Sequence, residues 1–307
     1  MMMAEEAPQF GVVLLNWNNA DDTLVALDSL AGASPRPAAV VIVDSASFDD
    51  SLERIRNWSA PAGVSTDWLT VIPLDENRGF AGGNNVGMQH LLARPDLTHL
   101  LLLNNDAMVE RNFFGEMARA LEMEPEAGLL TGTIYEHPDR SKVWYAGGRE
   151  IPFRALIEHS LDVPSSAAVI ETEFISGCAM LISRAVVQEI GLLPEVYFPL
   201  YSEDAEYSYR VRGAGMKVLY APAATVFHKI GATVGPAKRS PYIMRAQIRH
   251  RVLYVRRNFR GVNRLVASLY LVATKPAKAI LEVVSGRPRM GWAVFAGTVE
   301  GFLHRDT

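Results

Sequence analysis

The sequence predicts an α/β domain built on a central, mostly parallel sheet flanked by helices, followed by a basic helical extension. Three observations support this prediction: short apolar segments alternate with helix-like ones, polar residues follow the apolar segments, and the charge changes sign near residue 235. Alternation of strand and helix is typical of parallel sheets with right-handed crossovers. We therefore expect one domain over residues 1–235 and a helical extension over residues 236–307.

The first four predicted strands are short, rich in Val, Leu and Ile, and almost free of polar residues. Strands that are buried on both faces of a parallel sheet have this near-continuous apolar character. They cover residues 10–15, 40–43, 69–74 and 99–103. Helical spacing is found between them, over residues 21–30, 50–58 and 82–92. Asp and Ser residues near the helix starts can cap free backbone N–H groups.

The chain from residue 111 to residue 235 keeps both kinds of element but loses the regular alternation. Helices are predicted over residues 111–122, 184–190 and 203–212. Strands are predicted over residues 129–134, 178–182, 217–220 and 224–227. Residues 135–172 contain several Gly and Pro residues, which predicts hairpins and surface loops there.

The net charge of −4 is distributed unequally along the chain. Residues 1–235 carry a net charge of −15, whereas residues 236–307 carry a net charge of +11. Such an asymmetry indicates an anionic partner for the extension, either a membrane surface or nucleic acid. A basic extension that docks on the acidic domain is the alternative.

Two helices are predicted in the extension. The first, over residues 244–259, has an apolar stripe beside a row of arginines. The second, over residues 262–284, is apolar but is interrupted by Arg264, Lys275, Pro276 and Lys278. Its longest uncharged run is about half of the roughly 20 residues that cross a bilayer. We therefore expect an interfacial helix rather than a membrane span.

The composition excludes several classes of protein. A chain that is 49% hydrophobic and 21% charged is not a disordered chain, a collagen-like repeat or a coiled coil. The single cysteine, Cys178, excludes a disulfide framework and a cysteine-rich zinc site. Residues 1–10 lack the basic and apolar regions of a signal peptide. We expect a cytoplasmic protein.

Polar residues with short side chains follow four predicted strands in succession. They occupy residues 16–19, 44–47, 77–85 and 104–106. Each group alone is ordinary turn chemistry. Ligands of open parallel sheets bind beyond the carboxyl ends of the strands, so four such groups predict a functional edge. The sequence lacks G-x-G-x-x-G in the first turn and has no P-loop motif, which disfavours a dinucleotide or P-loop site.

Carboxylates at two positions are candidates for metal binding and for proton transfer. Asp106 ends an apolar strand and can hold Mg²⁺ or Mn²⁺, which take one or two carboxylates and complete their shell with phosphate and water. Glu203 and Asp204 begin a helix behind the apolar and aromatic residues 198–201. Desolvation there raises a carboxyl pKa and suits a general base. The alternatives are a helix cap at Asp106 and ordinary helix-dipole stabilisation at Glu203 and Asp204.

Taken in order, the motifs resemble those of family 2 glycosyltransferases with the GT-A fold, particularly the bacterial rhamnosyltransferase-like branch. The matching segments are VVLLNWN at 12–18, VIVDSAS at 41–47, NRGFAGGNNVG at 77–87, LLNND at 102–106 and SED at 202–204. The similarity covers roughly residues 10–230. It implies a nucleoside-diphosphate sugar donor and a single displacement that inverts the anomeric carbon.

The resemblance also implies roles for individual residues. Asp44 would bind the nucleotide base, and Asn18, Arg78 and Asn85 would line the nucleotide pocket. Asn104, Asn105 and Asp106 stand where the family has its Asp-x-Asp metal motif, so that Asn104 replaces the first aspartate. His228 matches a histidine that approaches the metal or the diphosphate. Asp204 matches the catalytic base, with Glu203 beside it. Glycines within residues 79–87 are expected to let the backbone approach the donor.

The expected function is therefore a metal-dependent inverting glycosyltransferase that uses Mg²⁺ or Mn²⁺. The branch suggests rhamnose from a dTDP-linked donor, and a UDP-linked hexose would fit the same pocket. The acceptor would be a saccharide or a lipid-linked saccharide, with the extension holding the enzyme on the anionic inner face of the membrane.

Three alternatives remain open. A non-catalytic nucleotide-sugar-binding relative is suggested by Asn104. A sugar-phosphate nucleotidylyltransferase is disfavoured because residues 16–20 contain no Gly, Lys or Arg. A nucleic-acid-binding protein would leave Asp44, Asp106 and Asp204 without a role, so we expect no nucleic-acid partner.

Overall fold

The structure, a computed structural model, describes residues 7–65, 67–229 and 240–304. The predicted boundary between residues 235 and 236 lies outside these ranges. Within them, ten strands form one central sheet: β1 (Phe10–Asn16), β2 (Ala39–Asp44), β3 (Leu69–Pro73), β4 (His99–Asn104), β5 (Ala107–Val109), β6 (Ala127–Glu136), β7 (Val143–Tyr145), β10 (Ile170–Glu171), β11 (Ala179–Ser183) and β12 (Lys217–His228). Strands β8 (Gly148–Ile151) and β9 (Leu156–His159) form a separate hairpin.

Helices cover both faces of the sheet and form the end of the chain. They are α1 (Ala20–Ala31), α2 (Ser51–Arg56), α3 (Gly79–Leu92), α4 (Phe113–Met123), α5 (Arg184–Ile190), α6 (Glu203–Gly213), α7 (Pro241–Asn258), α8 (Gly261–Val284) and α9 (Pro288–Leu303). Short 3-10 helices occur at Pro152–Arg154 and Glu195–Tyr197.

The strand order in the sheet is β3-β2-β1-β4-β11-β6-β12-β10. Strands β1 to β4 are parallel to one another, and β6 and β12 are also parallel to each other. Strand β11 runs antiparallel between β4 and β6. The predicted α/β class with a mostly parallel sheet and a helical extension is therefore confirmed.

The parallel register places the predicted polar strand ends side by side. Asn16 at the end of β1 is paired with Asp44 at the end of β2, and Leu15 is paired with Asn104 at the end of β4. This edge of the sheet is called the donor edge below. The predicted strands 217–220 and 224–227 form one strand, β12, with a register shift between Ala221 and Thr225.

The glycine-rich segment is helical, which corrects the expectation that its glycines bring backbone close to the donor. Helix α3 begins at Gly79, three residues before the predicted start. A Cβ on Gly83 would lie 2.3 Å from Leu15 Cδ1, and one on Gly87 would lie 2.5 Å from Val13 Cγ1. The glycines therefore let α3 pack directly on β1.

Helix α7 packs into the main core and against the acidic domain. Val252, Val255 and Phe259 are buried in the same apolar cluster as strands β1 and β4. Arg257 Nε lies 3.0 Å from Oε2 of Glu206, a buried residue of α6. Part of the positive charge of the extension therefore stabilises docking, as the alternative interpretation of the charge asymmetry proposed.

Helices α8 and α9 expose many large apolar side chains. Exposed residues include Val262, Leu265, Leu269, Ile280 and Val284 on α8, and Trp292, Phe295 and Leu303 on α9. This surface is called the α8–α9 apolar face below. Extended exposed apolar patches are unusual on monomeric proteins and mark interaction sites. Across the described part of the chain, none of the helices combines the length and hydropathy needed to span a bilayer.

Candidate active site

A chain of hydrogen bonds runs along the donor edge. Asn16 Nδ2 donates to Asp44 Oδ2 over 2.7 Å, and Thr23 Oγ1 donates to Asn16 Oδ1 over 2.7 Å. Asn105 Nδ2 in turn donates to the Thr23 hydroxyl over 3.0 Å. All four side chains are buried. The ends of β1, β2 and β4 are thus fixed to one another and to α1 without any ligand.

Ser47 connects two of the predicted nucleotide-binding residues. Its backbone N–H donates to Asp44 Oδ1 over 3.0 Å and its hydroxyl donates to Asp44 Oδ2 over 2.7 Å. The same hydroxyl accepts from the backbone N–H of Asn18 over 2.9 Å. Asn18 and Ala46 have left-handed backbones, with φ of 50° and 58°. The structure therefore brings Asn18 and Asp44 together through Ser47, to which the sequence analysis gave no role.

Arg78 and Asn85 lie further along, where α3 meets the segment before α6. Arg78 Nη2 is 3.2 Å from Glu195 Oε2, and both side chains are half-exposed. An ion pair this exposed is weak, which leaves the guanidinium available to an anionic ligand. Asn85 is buried, and its amide bonds the backbone N–H and carbonyl of Leu193. Asn85 thus holds α3 to this segment and is not brought to the donor edge.

Asp106 and His228 form a buried pair beside the end of β4. Asp106 Oδ1 is 3.1 Å from His228 Nε2, and the pairing of Ala107 with His228 between β5 and β12 brings them together. Asp106 Oδ1 and His228 Nδ1 nevertheless lack a hydrogen-bond partner among the described residues. Burial opposes the charged imidazolium, but Cys178 and the Asp106 carboxylate raise the pKa of His228 to about 10. A strand follows Asp106, so the helix-cap interpretation is wrong.

This pair fits a divalent cation, whose binding would displace the proton that the raised pKa keeps on the His228 ring. A buried carboxylate oxygen without a donor is costly, and a cation between the carboxylate and the imidazole would satisfy it. Within residues 7–65, 67–229 and 240–304, no group of three or more His, Cys, Asp or Glu residues could hold a metal. Of the described residues, Asp106 and His228 would be ligands there, and phosphate oxygens and water would complete the shell, as Mg²⁺ and Mn²⁺ often require.

The other two positions of the predicted metal motif face elsewhere or carry no charge. Asn105 is directed to Thr23, as described above. Asn104 is half-buried at the end of β4, where its backbone N–H donates to the carbonyl of Cys178 over 2.9 Å. Asp106 is consequently the one carboxylate of the motif.

Glu203 and Asp204 begin α6 in different environments. Asp204 Oδ2 accepts from the backbone N–H of Gly177 over 3.1 Å, and Oδ1 accepts from the N–H of Ala205 over 2.8 Å. Glu203 is buried and its Oε2 has no hydrogen-bond partner in the described structure. Burial and then the Asp204 charge raise the pKa of Glu203 to about 8, and burial raises the pKa of Asp204. Near neutral pH, Glu203 therefore keeps its proton.

The backbone before these carboxylates is held in an unfavourable conformation. Tyr201 and Ser202 have φ of 78° and 81°, in the left-handed region that costs about 1–2 kcal/mol for each residue with a Cβ. The segment 198–202, called the catalytic loop below, is fixed from outside. Phe80 N–H donates to the carbonyl of Pro199 over 2.8 Å. His250 Nδ1 is 3.0 Å from the carbonyl oxygen of Leu200 and 3.1 Å from that of Tyr201.

His250 and its neighbour Arg249 belong to α7, in the extension. Because His250 Nδ1 faces two carbonyl oxygens, that nitrogen carries the hydrogen. Nε2 is then an acceptor, and Arg249 Nη2 lies 2.8 Å from it. Burial and the Arg249 charge lower the pKa of His250 to about 4, so the ring is neutral. Sequence reasoning missed both residues, since no motif marks them and the extension was assigned to a partner.

Residues 177 and 178 connect the two acidic groups. Gly177 N–H holds Asp204, whereas the Cys178 side chain contacts His228. Consecutive Cα atoms are about 3.8 Å apart, so Asp204 and the Asp106–His228 pair are anchored to adjacent points of the chain. A Cβ on Gly177 would lie 2.9 Å from the Phe80 ring, so a larger residue there would displace that ring. The candidate cation site and the Asp204 carboxylate are therefore held by adjacent residues.

Comparison with known families and curated proteins gives consistent results. The family model described as glycosyltransferase like family 2 matches residues 8–263. The low-salt glycan biosynthesis hexosyltransferase Agl10 of Haloferax volcanii is 23% identical over 225 residues, which cover 71% of this chain and 66% of Agl10. The succinoglycan biosynthesis protein ExoU of Rhizobium meliloti is 35% identical over 83 residues, 27% of this chain and 23% of ExoU. The chain thus spans less than two thirds of either relative.

Solved structures share the fold at low sequence identity. A crystal structure of GalNAc-T7 with UDP, GalNAc and Mn²⁺ has a TM-score of 0.64 at 18% identity, over 82% of this chain and 48% of that one. The mannosyltransferase PcManGT of Pyrobaculum calidifontis, in complex with GDP-Man and Mn²⁺, has a TM-score of 0.58 at 17% identity, over 97% and 88%. Residues 1–349 of S. aureus TarS give 0.59 at 13% identity, over 95% and 80%. These similarities identify the fold as GT-A.

Proposed function

Because the chain belongs to glycosyltransferase family 2, we propose that it transfers a sugar from a nucleoside-diphosphate donor to an acceptor hydroxyl with inversion of the anomeric carbon. The observation that supports this proposal is the position of Asp204, a partly desolvated carboxylate next to the Asp106–His228 pair. Because Asn104 stands in place of the first aspartate of the metal motif, the protein ligands would be Asp106 and His228. Two protein ligands are enough when phosphate oxygens and water complete the shell of the cation.

Each group in the site has a defined task in this reaction. Asp106 and His228 would hold Mg²⁺ or Mn²⁺, and the bound cation supplies neutralisation of the charge that develops on the diphosphate. Asp204 accepts the proton of the acceptor hydroxyl while that oxygen bonds to the anomeric carbon. The bond from the anomeric carbon to the diphosphate oxygen breaks on the opposite face. Protonated Glu203 adds no second negative charge beside the base.

The donor would lie along the donor edge. Asp44 and Asn18 would bind the base. Asn104 would line the phosphate side, and Asn105 would hold the strand end behind it through Thr23. Arg78 would leave Glu195 and bind the diphosphate. The matched structures contain UDP or GDP-Man in their own sites. For this chain we propose a dTDP- or UDP-linked donor, with rhamnose as one candidate sugar.

The acceptor would be a saccharide or a lipid-linked saccharide at the inner face of the membrane. The α8–α9 apolar face is suited to lie at a bilayer surface in the manner of an interfacial helix. Peripheral binding there, from the cytoplasm, gives the extension a role that does not need nucleic acid. Residues 1–235 would then form the catalytic domain, and residues 236–307 the part that binds the membrane.

The first experiment is a thermal-shift screen of nucleoside diphosphates and nucleotide sugars, each with Mg²⁺, Mn²⁺ or EDTA. Ligands that bind the folded state raise Tm, and the nucleotides should do so more strongly with a divalent cation. Release of the sugar from the best donor then tests turnover. Absence of any nucleotide-dependent shift would contradict the proposal, whereas a shift without turnover would indicate the non-catalytic relative.

A further inference from the structure

A groove of about 740 Å³ lies between the β8–β9 hairpin and strand β10, and its size is in the range of pockets that bind small molecules. The two walls are bonded to each other. The Thr172 hydroxyl accepts from the Gly148 N–H over 2.8 Å and donates to the Gly148 carbonyl over 2.9 Å. The Thr172 N–H donates to the carbonyl of Val218 in β12 over 2.9 Å. The groove, called the hairpin groove below, is therefore built onto the edge of the central sheet.

One end of the hairpin groove lies beside the Asp106–His228 pair. His159 lines the groove, and its ring centroid is 4.9 Å from that of Trp144. The Trp144 ring is in turn 4.9 Å from the ring of His228. Trp144 is half-buried, and its indole N–H forms no hydrogen bond with the residues that the structure describes. A tryptophan in this state can both pack against a ligand and donate a hydrogen bond to it.

The same end of the groove is also connected to Asp204. The His159 ring stacks on Phe174, with the ring centroids 5.7 Å apart. Phe174 precedes Gly177 by three residues, which span at most about 11 Å, and the Gly177 N–H holds the Asp204 carboxylate. In the sheet, β6 and its neighbour β7 lie on the side of β4 that is opposite β1 and β2. The hairpin groove therefore extends the site away from the proposed base-binding residues.

The lining of the groove combines carboxylates with exposed apolar side chains. The carboxylates are those of Glu158, Asp162, Glu171 and Glu173. The guanidinium of Arg149 also lines the groove, but its Nη2 is 2.8 Å from Glu158 Oε2, which leaves an excess of negative charge. Leu161 is 58% exposed and Ile170 is 41% exposed in the same groove. Carboxylates accept hydrogen bonds from hydroxyl and ammonium groups and repel anions, and apolar side chains pack against C–H groups. This combination fits a sugar without acidic groups.

We propose that the hairpin groove binds the part of the acceptor saccharide that adjoins the glycosylated unit, and that it selects neutral or amino sugars over anionic ones. The inference rests on the proposed function, whose acceptor it specifies as a chain of at least two sugar units. The attacked hydroxyl would lie at Asp204, and its sugar unit would lie beside Trp144 and His159. The next unit would lie between the hairpin and β10.

The test measures binding of the full chain to an array of neutral, amino-substituted and anionic saccharides of one to three sugar units, with and without UDP and Mn²⁺. Glu171→Gln removes one carboxylate of the groove, and Glu171→Lys reverses its charge. Glu171 is exposed on the edge strand β10, so both variants should fold, and thermal unfolding checks this. Glu189→Lys, which reverses an exposed charge on α5 outside the groove, is the matched control.

We expect neutral or amino saccharides of two or three units to bind more tightly than single sugars and than anionic saccharides. Glu171→Lys should weaken binding of these saccharides by at least about ten-fold, Glu171→Gln by less, and Glu189→Lys by less than about two-fold. A preference for anionic saccharides, equal binding of single sugars, or no binding at all would overturn the proposal. Equal losses in Glu171→Lys and Glu189→Lys would also overturn it. Hydrolysis of the donor by water does not use the groove, so failure of the proposed transferase activity is detected separately.

Discussion

The donor edge and the catalytic loop are built in opposite ways. At the donor edge, Asp44 accepts three hydrogen bonds from Asn16 and Ser47, and the strand ends are joined by buried amides and hydroxyls. In the catalytic loop and the start of α6, two left-handed residues precede a carboxylate oxygen that has no described partner. The binding surface is therefore organised by its own strands, whereas the reactive segment is kept in place by contacts from α3 and α7.

The largest expected effect separates the two regions directly. Asp204→Asn removes the base while keeping the shape of the side chain, so transfer and donor turnover should fall by about 10²–10⁴-fold. Nucleotide affinity, which depends on the donor edge, should change by less than about two-fold. Steady-state kinetics and nucleotide titration on the same preparation measure both quantities. Asp96→Asn, at an exposed position, is the matched control. If Asp204→Asn lowered nucleotide affinity as much as turnover, donor binding and catalysis would not depend on separate regions.

The second prediction concerns support of the catalytic loop by α7. His250→Ala removes the donor to the carbonyls of Leu200 and Tyr201 and leaves a cavity in a fully buried position. We expect kcat to fall by about 10–100-fold and stability by about 2–4 kcal/mol, since buried carbonyls lose their partner. The affinity for the nucleotide at the donor edge should be retained. Urea unfolding and kinetics measure these effects.

A conservative variant distinguishes positioning from folding alone. His250→Gln keeps an N–H donor in a similar place, so it should recover part of the lost kcat. If His250→Ala lowered stability but left kcat unchanged, the loop would not depend on α7 for its active geometry.

These two regions also differ in how far the sequence predicts them. Parallel strands bring their carboxyl ends to one edge by topology, and the register does pair Asn16 with Asp44. Glu203 and Asp204 were predicted as candidate catalytic residues because SED begins a helix after an aromatic segment. Their support by His250 was not predicted, because it joins residues about fifty positions apart and depends on tertiary packing. The same limit explains Asn85, whose amide bonds Leu193, a residue 108 positions further along the chain.

The third prediction tests the local organisation of the donor edge. Ser47→Ala removes the hydroxyl that donates to Asp44 and accepts from Asn18 N–H. A hydrogen bond of this kind contributes about 1 kcal/mol, so nucleotide affinity should fall about five-fold with little change in kcat. Isothermal titration of the variant with the best nucleotide measures the change. Ser65→Ala, in an exposed loop, serves as the control. If Ser47→Ala lowered kcat without weakening nucleotide binding, Ser47 would not organise the nucleotide-binding residues of the donor edge.

The last prediction concerns the pH dependence of stability, which comes from Glu203. The pKa of this carboxyl is raised from 4.5 in an ordinary environment to about 8 in the folded chain. Below pH 4.5 both states are protonated and the stabilisation is fully present. As the pH rises toward 8 the unfolded chain releases this proton and the folded chain retains it, so stability is lost. Glu203→Gln cannot ionise and escapes this loss.

The difference in unfolding free energy between Glu203→Gln and the unmodified chain should therefore grow in favour of the variant from pH 5 to pH 8. Urea unfolding at several pH values measures it, with Glu126→Gln as the control, since Glu126 is exposed. A difference that stayed constant with pH would mean that Glu203 ionises normally in the folded chain. In that event Asp204 would have a charged neighbour. The donor edge, whose polar groups are hydrogen-bonded, would then no longer differ from the Glu203–Asp204 pair in the way that the raised pKa of Glu203 implies.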